Sequence, residues 1–588
     1  VVSAIAVAAC SAAGRQPVIG ARPPSAELLP QSFDNPGWTQ LQPQPWSRVV
    51  YVSSRQGADS NSGLSPLEPK ATLRAGYEMM RSGHPDWLVL KRGDEWNESF
   101  PTWVKGGSSE TEMMVIGSYG KGPRPVLNTG SGQGFLSVAE PEPLAHLALM
   151  DLHFRADRAS GTSLDSGVTF LSRWSNVLIE NCKIEGYRNN IVIEPLSYRP
   201  SNIRVRRCVV VDAFTVYWNA QGIYTGSVDG CLIEGCVFDH NGWRRGVPGA
   251  NATMFNHNLY LHGTCTGMVT RGNISARAGA TGISQRCAGI CEDNLVIQNP
   301  VGIYLGSGAG AAPGPHAVRN NVVLDSRDID SMTPRGFGVW IGSIRLVEAY
   351  GNIVAQHRSG SDNVTAINLS SGLYSAVVAR NIVYDWTIGS TGLALSAELQ
   401  ESRGIRVTDN WMIQPRGGML VGYVPNSGSE TGRVFGRNRY STSNGAPHQV
   451  YWGTSYEDWE AQDHEVYASF GPVEFPDPER DVATYMASMG LTPTLEAFLL
   501  RARDQERTTW DPRFTAEAVC TYIRAGFGVN RRGCAADFND DGQVNALDLA
   551  AFQNAAAAHH PRADVDLDGA ITLTDFALMQ GLVTAGCP

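Results

Sequence analysis

Residues 267–277, GMVTRGNISAR, and residues 289–299, GICEDNLVIQN, share one frame: a short apolar strand, a small polar turn ending in Asn, and a second apolar strand. The same frame returns outward in both directions, as NVLIENCKIEG (176–186), NIRVRRCVVVD (202–212) and GCLIEGCVFDH (230–240) before it. After it come HAVRNNVVLDS (316–326), VEAYGNIVAQH (347–357), AVVARNIVYDW (376–386) and IRVTDNWMIQP (405–415). In register, one position reads Cys182, Cys208, Cys236, Asn273, Asn294, Asn321, Asn352, Asn381 and Asn410, with Leu152 and Asn438 extending it to eleven rungs. Most intervals lie between 21 and 31 residues, the length of one coil of a three-sheet solenoid. Each coil alone buries too little to be stable, so a repeat of this period folds by stacking. A recurrent Asn suits a tight turn, since it tolerates left-handed backbone and its amide bonds both local backbone and the Asn of the next rung. The three cysteines at equivalent places are expected to be stacked buried thiols, not metal ligands.

Composition agrees with many short strands joined by tight turns. The 588 residues include 63 glycines, 42% are hydrophobic and 18% charged, too apolar for disorder and too long for one ordinary core. A net charge of −10 and a pI near 5.7 offer no field for phosphate backbones, which argues against nucleic acid as a partner. The start, VVSAIAVAAC, resembles the end of a bacterial lipoprotein signal in which Cys10 becomes the lipidated residue; a plain secretory signal or an unstructured apolar terminus are the alternatives. Export is the expectation, to the cell surface or beyond. Predicted divisions are 1–45 for signal and linker, 46–445 for the solenoid, 446–530 for a small helical cap or connector, and 531–588 for a terminal module.

The ladder resembles the right-handed parallel β-helix proteins of the pectate-lyase-like type, over roughly residues 48–445. The entry, YVSSRQGADSNSGLSPLEPKATLRAGYEMM (51–80) with WLVLKRGDEW (87–96) and IGSYGKGPRPVL (116–127), is similar to the capping strand, helix and first coils of secreted members. That resemblance implies a monomeric all-β solenoid, and a polysaccharide as substrate or ligand. It does not select a reaction, because one fold carries many chemistries.

A second strand series, NIVIEP, QGIYTGS, HNLYLHG, TGISQRC, VGIYLGS and GVWIGS, is expected to form the sheet that lines a substrate cleft. Alternation sends Ile191, Ile193, Ile223, Leu259, Leu261, Ile283, Ile303, Leu305, Val339 and Ile341 inward. The outward column is then Val192, Tyr224, Tyr260, Ser284, Tyr304 and Trp340, and the next contains Glu194, His262 and Arg286. At a rung spacing of about 4.8 Å the rings make a strip along which a glycan could lie. The longest interval, between Cys236 and Asn273, inserts residues 239–257, expected to wall the cleft and bring Asp239, His240, Arg244, Arg245 and His257 toward Tyr260 and His262. For β-elimination, His262 or His257 would be the base, Arg286 the carboxylate clamp and Tyr260 the acid. For hydrolysis, Glu194 with Asp239 or Asp212 are the available carboxylates. A non-catalytic glycan binder would use the same aromatic strip.

After residue 445 the ladder is expected to stop. Amphipathic stretches over 481–489, 494–504 and 515–525 predict three helices, packed by default as a cap on the last coil. The final residues carry two loops at calcium spacing. In DFNDDGQVNALD the ligand positions are Asp537, Asn539, Asp541, Gln543 through its carbonyl, Asn545 and Asp548. In DVDLDGAITLTD they are Asp564, Asp566, Asp568, Ala570 through its carbonyl, Thr572 and Asp575. The pair resembles a dockerin, whose loops end in Asp. That resemblance implies two Ca2+ sites and docking to a cohesin-type partner through Ala546-Leu547 and Leu573-Thr574. Cys534 and Cys587 bracket the module and are placed to close it as a disulfide in an oxidising compartment.

Overall fold

The structure is a computed structural model describing residues 37–586, apart from 157–164, 218, 307–313, 330–334, 359–363, 389–391, 400, 425–434, 444–464, 530–535, 540–542 and 566–569. Cys10, Cys534 and Cys587, with their expected roles, lie outside the described residues.

The chain winds into a parallel β-solenoid. A 24-stranded sheet bends into two arms and a 14-stranded sheet closes the third face. Arm A holds Asn189–Glu194, Gln221–Thr225, His257–Leu261, Thr281–Gln285, Val301–Gly306 and Phe337–Gly342. Arm B holds Ser201–Arg206, Asp229–Glu234, Thr266–Arg271 and their successors, and sheet C the short strands Val209–Val211, Val237–Asp239, Ile274–Ala276 and onward. All three are parallel, each strand pairing with its equivalent one coil away. The residues that alternation sends inward, Ile191 to Ile341, are buried in one continuous core.

The asparagine ladder runs at the corner between arm B and sheet C. Asn273 donates through its backbone N–H and through Nδ2 to Asn294 Oδ1, at 2.9 and 3.0 Å, and its Nδ2 also reaches the Ile233 carbonyl. The same triple contact repeats through Asn294, Asn321, Asn352, Asn381 and Asn410 to Asn438. Left-handed backbone, however, belongs to the residue before each ladder position: Arg207, Asp293, Asn320, Arg380, Asp409 and Arg437 have φ between 48° and 57°. The ladder Asn therefore bridges turns that its neighbour makes. Cys182, Cys208 and Cys236 continue the column as buried thiols, and burial pushes Cys182 and Cys208 well above the usual thiol range.

Two expectations need correction. Pairing does not end at residue 445: Glu465–Val466 pairs with Phe435–Gly436, and Ser469–Phe470 with Arg439–Tyr440. Glu465 accepts the last ladder bond from Asn438 Nδ2 at 3.0 Å. The EVYASF stretch escaped notice because Ala468 stands where a ladder Asn would. Nor do the helices Val482–Ser488, Leu495–Arg503 and Ala516–Gly526 cap the last coil. They lie as a strap along the outer face of sheet C, where Phe498, Leu499, Val519 and Ile523 pack with Val211, Ile274, Leu295 and Val322. Ion pairs pin its rim: Arg503 to Asp239 (2.6 Å) and Asp212 (3.1 Å), Glu506 to Arg92 (2.8 Å), and Arg507 to Glu180 (2.6 Å).

Burial holds several histidines neutral. It lowers His257 to about 3 and His316 to about 4, and lowers His357 as well, from an ordinary value of 6.5. Below pH 6.5 the unfolded chain binds protons that the native state refuses, so stability is complete above that value and falls as pH drops toward the native values. Urea titrations at pH 7 and pH 5 are expected to differ by a few kcal/mol, with the difference reduced in His316→Gln and His357→Gln.

Candidate functional site

Arm A carries the outward column in strict register. Val192 pairs with Tyr224, Tyr224 with Tyr260, Tyr260 with Ser284, Ser284 with Tyr304, and Tyr304 with Trp340. Their rings form a partly exposed strip, with Tyr224 and Tyr260 at 5.5 Å and Tyr304 and Trp340 at 5.0 Å between centroids. His262 and Arg286 follow two residues after Tyr260 and Ser284, and so stand beside them on adjacent rungs. His257 joins the same face although it is an odd number of residues from Tyr260: the two rings are 5.1 Å apart. Asn258 makes this step by turning inward, where it accepts from Asn241 Nδ2 and donates to the Ala276 carbonyl.

The centre is polar and incompletely satisfied. Arg286 Nη1 donates to the Tyr260 hydroxyl at 3.0 Å, while Arg286 Nε and His257 Nδ1 are buried without a hydrogen-bond partner. Orphan polar atoms of this kind ask for water or a ligand. His262 Nδ1 lies 2.9 Å from Thr264 Oγ1 and accepts from the Thr264 backbone N–H at 3.3 Å, so the resting neutral ring carries its proton on Nε2; a basic Nε2 requires the other tautomer, with Nδ1–H on Thr264 Oγ1. Burial, and then the Arg286 charge, lower both His257 and His262, so each imidazole is neutral at pH 7. Burial raises Glu194, and pushes the Tyr224 hydroxyl up to about 12 with help from the Glu194 charge. One cation, two neutral imidazoles, two phenols and a carboxyl group thus line a short stretch of one face.

The insertion does not bring all its residues there. Asp239 is fully buried at the end of a sheet C strand, held by Arg277 Nε at 2.8 Å and Arg503 Nε at 2.6 Å. A carboxylate locked between two guanidiniums on another face cannot flank a bond held on arm A, and Asp212 is bound to His240 and Arg503 in the same seam. His240 packs on Trp243 and Arg244 lies over Phe214, while Arg245 lies over Trp243 in a recess lined also by Arg327 and by Glu496 of the strap. His240 and Arg245 therefore serve the sheet C edge, and Arg244 the turn between sheet C and arm A. Residues not foreseen stand at the rims of arm A instead: Tyr217 and Phe255 on one side, Leu196 and Tyr198 on the other, each about half exposed or more. Large apolar side chains in turns flanking the strand series were the available sequence clue.

In the terminal module, helices Ala546–Ala557 and Leu573–Ala585 each begin at position ten of a loop, with the position-nine residues Asn545 and Thr572 as their N-caps. Asp548 accepts from the Asn539 and Asn545 backbone N–H groups at 3.2 and 2.9 Å, and Asp575 from Val565 and Thr572 at 2.6 and 2.7 Å. Asp537, Asp548, Asp564 and Asp575 are buried, which brings the first and last carboxylates of both loops inside; Asp541, Asp566 and Asp568 lie outside the described residues. This donor set fits Ca2+. Leu547 and Leu573 are exposed, by 61% and 85%. Chelation is expected to lower the melting transition of this module within the full chain and to spare the solenoid transition. Restoring Ca2+ at a hundredfold excess over its Kd should return about 2.7 kcal/mol per site, followed by scanning calorimetry.

The model for a dockerin type I domain matches residues 535–583. None of the curated proteins compared matches the chain. Among solved structures, the lacto-N-biosidase of Eubacterium ramulus is 14% identical over 72% of this chain and 68% of its own, with a TM-score of 0.38. The A-module of the mannuronan C-5 epimerase AlgE4 of Azotobacter vinelandii is 11% identical over 64% and 99%, at 0.39. The pectate lyase Pel9A is 14% identical over 58% and 79%, at 0.30.

Proposed function

We propose that this chain is an exported polysaccharide-degrading enzyme that cleaves a uronic-acid-containing glycan by β-elimination, and that its terminal module docks it to a cohesin-type partner in the presence of Ca2+. The observation that carries the reaction is the juxtaposition of Arg286, Tyr260 and His262, with Arg286 Nε unpartnered and both histidines neutral. Arg286 would neutralise the uronate carboxylate and so acidify the proton beside it. In the tautomer with Nδ1–H on Thr264 Oγ1, His262 Nε2 takes that proton as the C–O bond to the leaving sugar breaks, and the Tyr260 hydroxyl gives its proton to the departing oxygen. One unsaturated sugar and one new hydroxyl end result.

Hydrolysis is the second reading, supported by Glu194, a carboxyl group held protonated more readily than usual by burial. It lacks its expected partner, since Asp239 and Asp212 are engaged with Arg503. Incubation with pectate, alginate and glycosaminoglycan panels separates the readings. Ultraviolet absorbance of an unsaturated product supports elimination; reducing ends without that absorbance would replace it with hydrolysis. Binding without either product would leave a glycan-binding protein.

A further inference from the structure

We infer that the groove on arm A holds a glycan along the solenoid axis with aromatic platforms on both sides of the polar centre, so that it accepts internal stretches of a long chain; this rests on the glycan reading of the same site. The position two residues after each outward side chain decides what that side chain can do. It is Gly226 after Tyr224, Gly306 after Tyr304 and Gly342 after Trp340, but His262 after Tyr260 and Arg286 after Ser284. A Cβ on Gly226 would stand 3.0 Å from the Tyr224 hydroxyl, and one on Gly306 would collide with the Tyr304 hydroxyl. The Tyr224 and Tyr304 rings therefore lie along their own strands over these glycines, whereas Trp340 stands at 62° to Tyr304. At Gly342 the added atom would strike Ser370 Oγ, which holds Trp340 Nε1 at 2.9 Å and fixes that ring too.

The order along the axis is thus ring, polar centre, ring, ring: Tyr224, then Tyr260 with His262 and Ser284 with Arg286, then Tyr304 and Trp340. Each step is one rung, about 4.8 Å, which is close to the length of a sugar unit in an extended chain. Tyr224 on one side and Tyr304 with Trp340 on the other offer apolar surface for pyranoses, whereas the two middle rungs carry the cation and the imidazole instead. Among the described residues the strip continues past Trp340 as Asn368 and Ser396 on the following rungs, without a ring that would close it. A site for chain ends needs a wall on one side; among the described residues this one has rings on both.

Calorimetric titration of the full chain with length series of oligogalacturonides and of alginate oligosaccharides tests the inference. Affinity is expected to rise with each added sugar until the chain spans Tyr224 to Trp340, and the last of these gains should disappear in Trp340→Ala. Gly306→Leu should remove an earlier one, with circular dichroism and the melting point confirming its fold. If a polymer is cleaved, viscosity should fall well ahead of the appearance of new ends. Affinity already maximal for a disaccharide, or unaltered by both variants, overturns the two-sided groove. Length-dependent binding without turnover of any polymer would instead overturn the enzymatic reading and leave the groove standing.

Discussion

Under the proposed elimination, Arg286→Ala is expected to reduce kcat/KM on a uronate polysaccharide by about two to three orders of magnitude, as loss of a group that stabilises developing charge does. Three consequences combine at one residue. The uronate carboxylate loses its cation, the Tyr260 hydroxyl loses the donor 3.0 Å away that positions it, and His262 loses a positive neighbour. The last consequence gives a reading that a general loss of packing would not. In the intact protein His262 is lowered by burial first and by Arg286 second, so the basic form prevails at neutral pH and the rate should fall only as pH drops through a value below 6.5. Without the guanidinium that value rises, and the acidic limb of the profile should move to higher pH while the residual rate is measured. His262→Ala should abolish turnover. An unmoved limb in Arg286→Ala together with a near-normal rate would take both residues out of the reaction.

Much of this centre could be read from sequence because a parallel ladder is a strict ruler. Once Asn273, Asn294 and Asn321 are placed above one another, alternation along TGISQRC and HNLYLHG fixes what faces out, and the registers Tyr260 to Ser284 and Tyr304 to Trp340 follow. Hydrogen bonding enforces the ruler, since each amide must meet the next. What escaped was the turn chemistry. The insertion resolved into two groups because Asp239 and Asp212 are claimed by Arg503, which lies 264 positions from Asp239 in the sequence and belongs to a helix whose docking place no repeat announces. His257 reaches the site only because Asn258 turns inward, a break in alternation that pattern alone does not reveal. A clue to the strap was present nonetheless. Sheet C strands such as VVV, LVI and VVL are apolar at every position, and a strand with one wet face would alternate.

That clue makes the strap the place where a single substitution should hurt stability most. Phe498 is fully buried at its centre, against a ridge formed by strands of many successive coils. Phe498→Ala is expected to cost about 3–5 kcal/mol. Phe498→Asp adds an unpaired buried charge, which the strap avoids by detaching from the face it covers. Detachment would expose Val211, Ile274, Leu295, Val322 and Ile353 as one continuous apolar band, well beyond what a soluble surface carries, and would release Arg503 and Arg507 from Asp239 and Glu180. The expected result is a protein that binds a hydrophobic dye and self-associates at a temperature where the intact chain is monodisperse, as followed by light scattering. Arg503→Ala separates the two contributions: it leaves the apolar contacts in place but strands Asp239 with Arg277 alone, so it should destabilise less than Phe498→Asp and without dye binding. A Phe498→Asp protein that melts like the intact one and stays monodisperse would mean that sheet C tolerates water on its outer face, and that the solenoid needs no cover along this side.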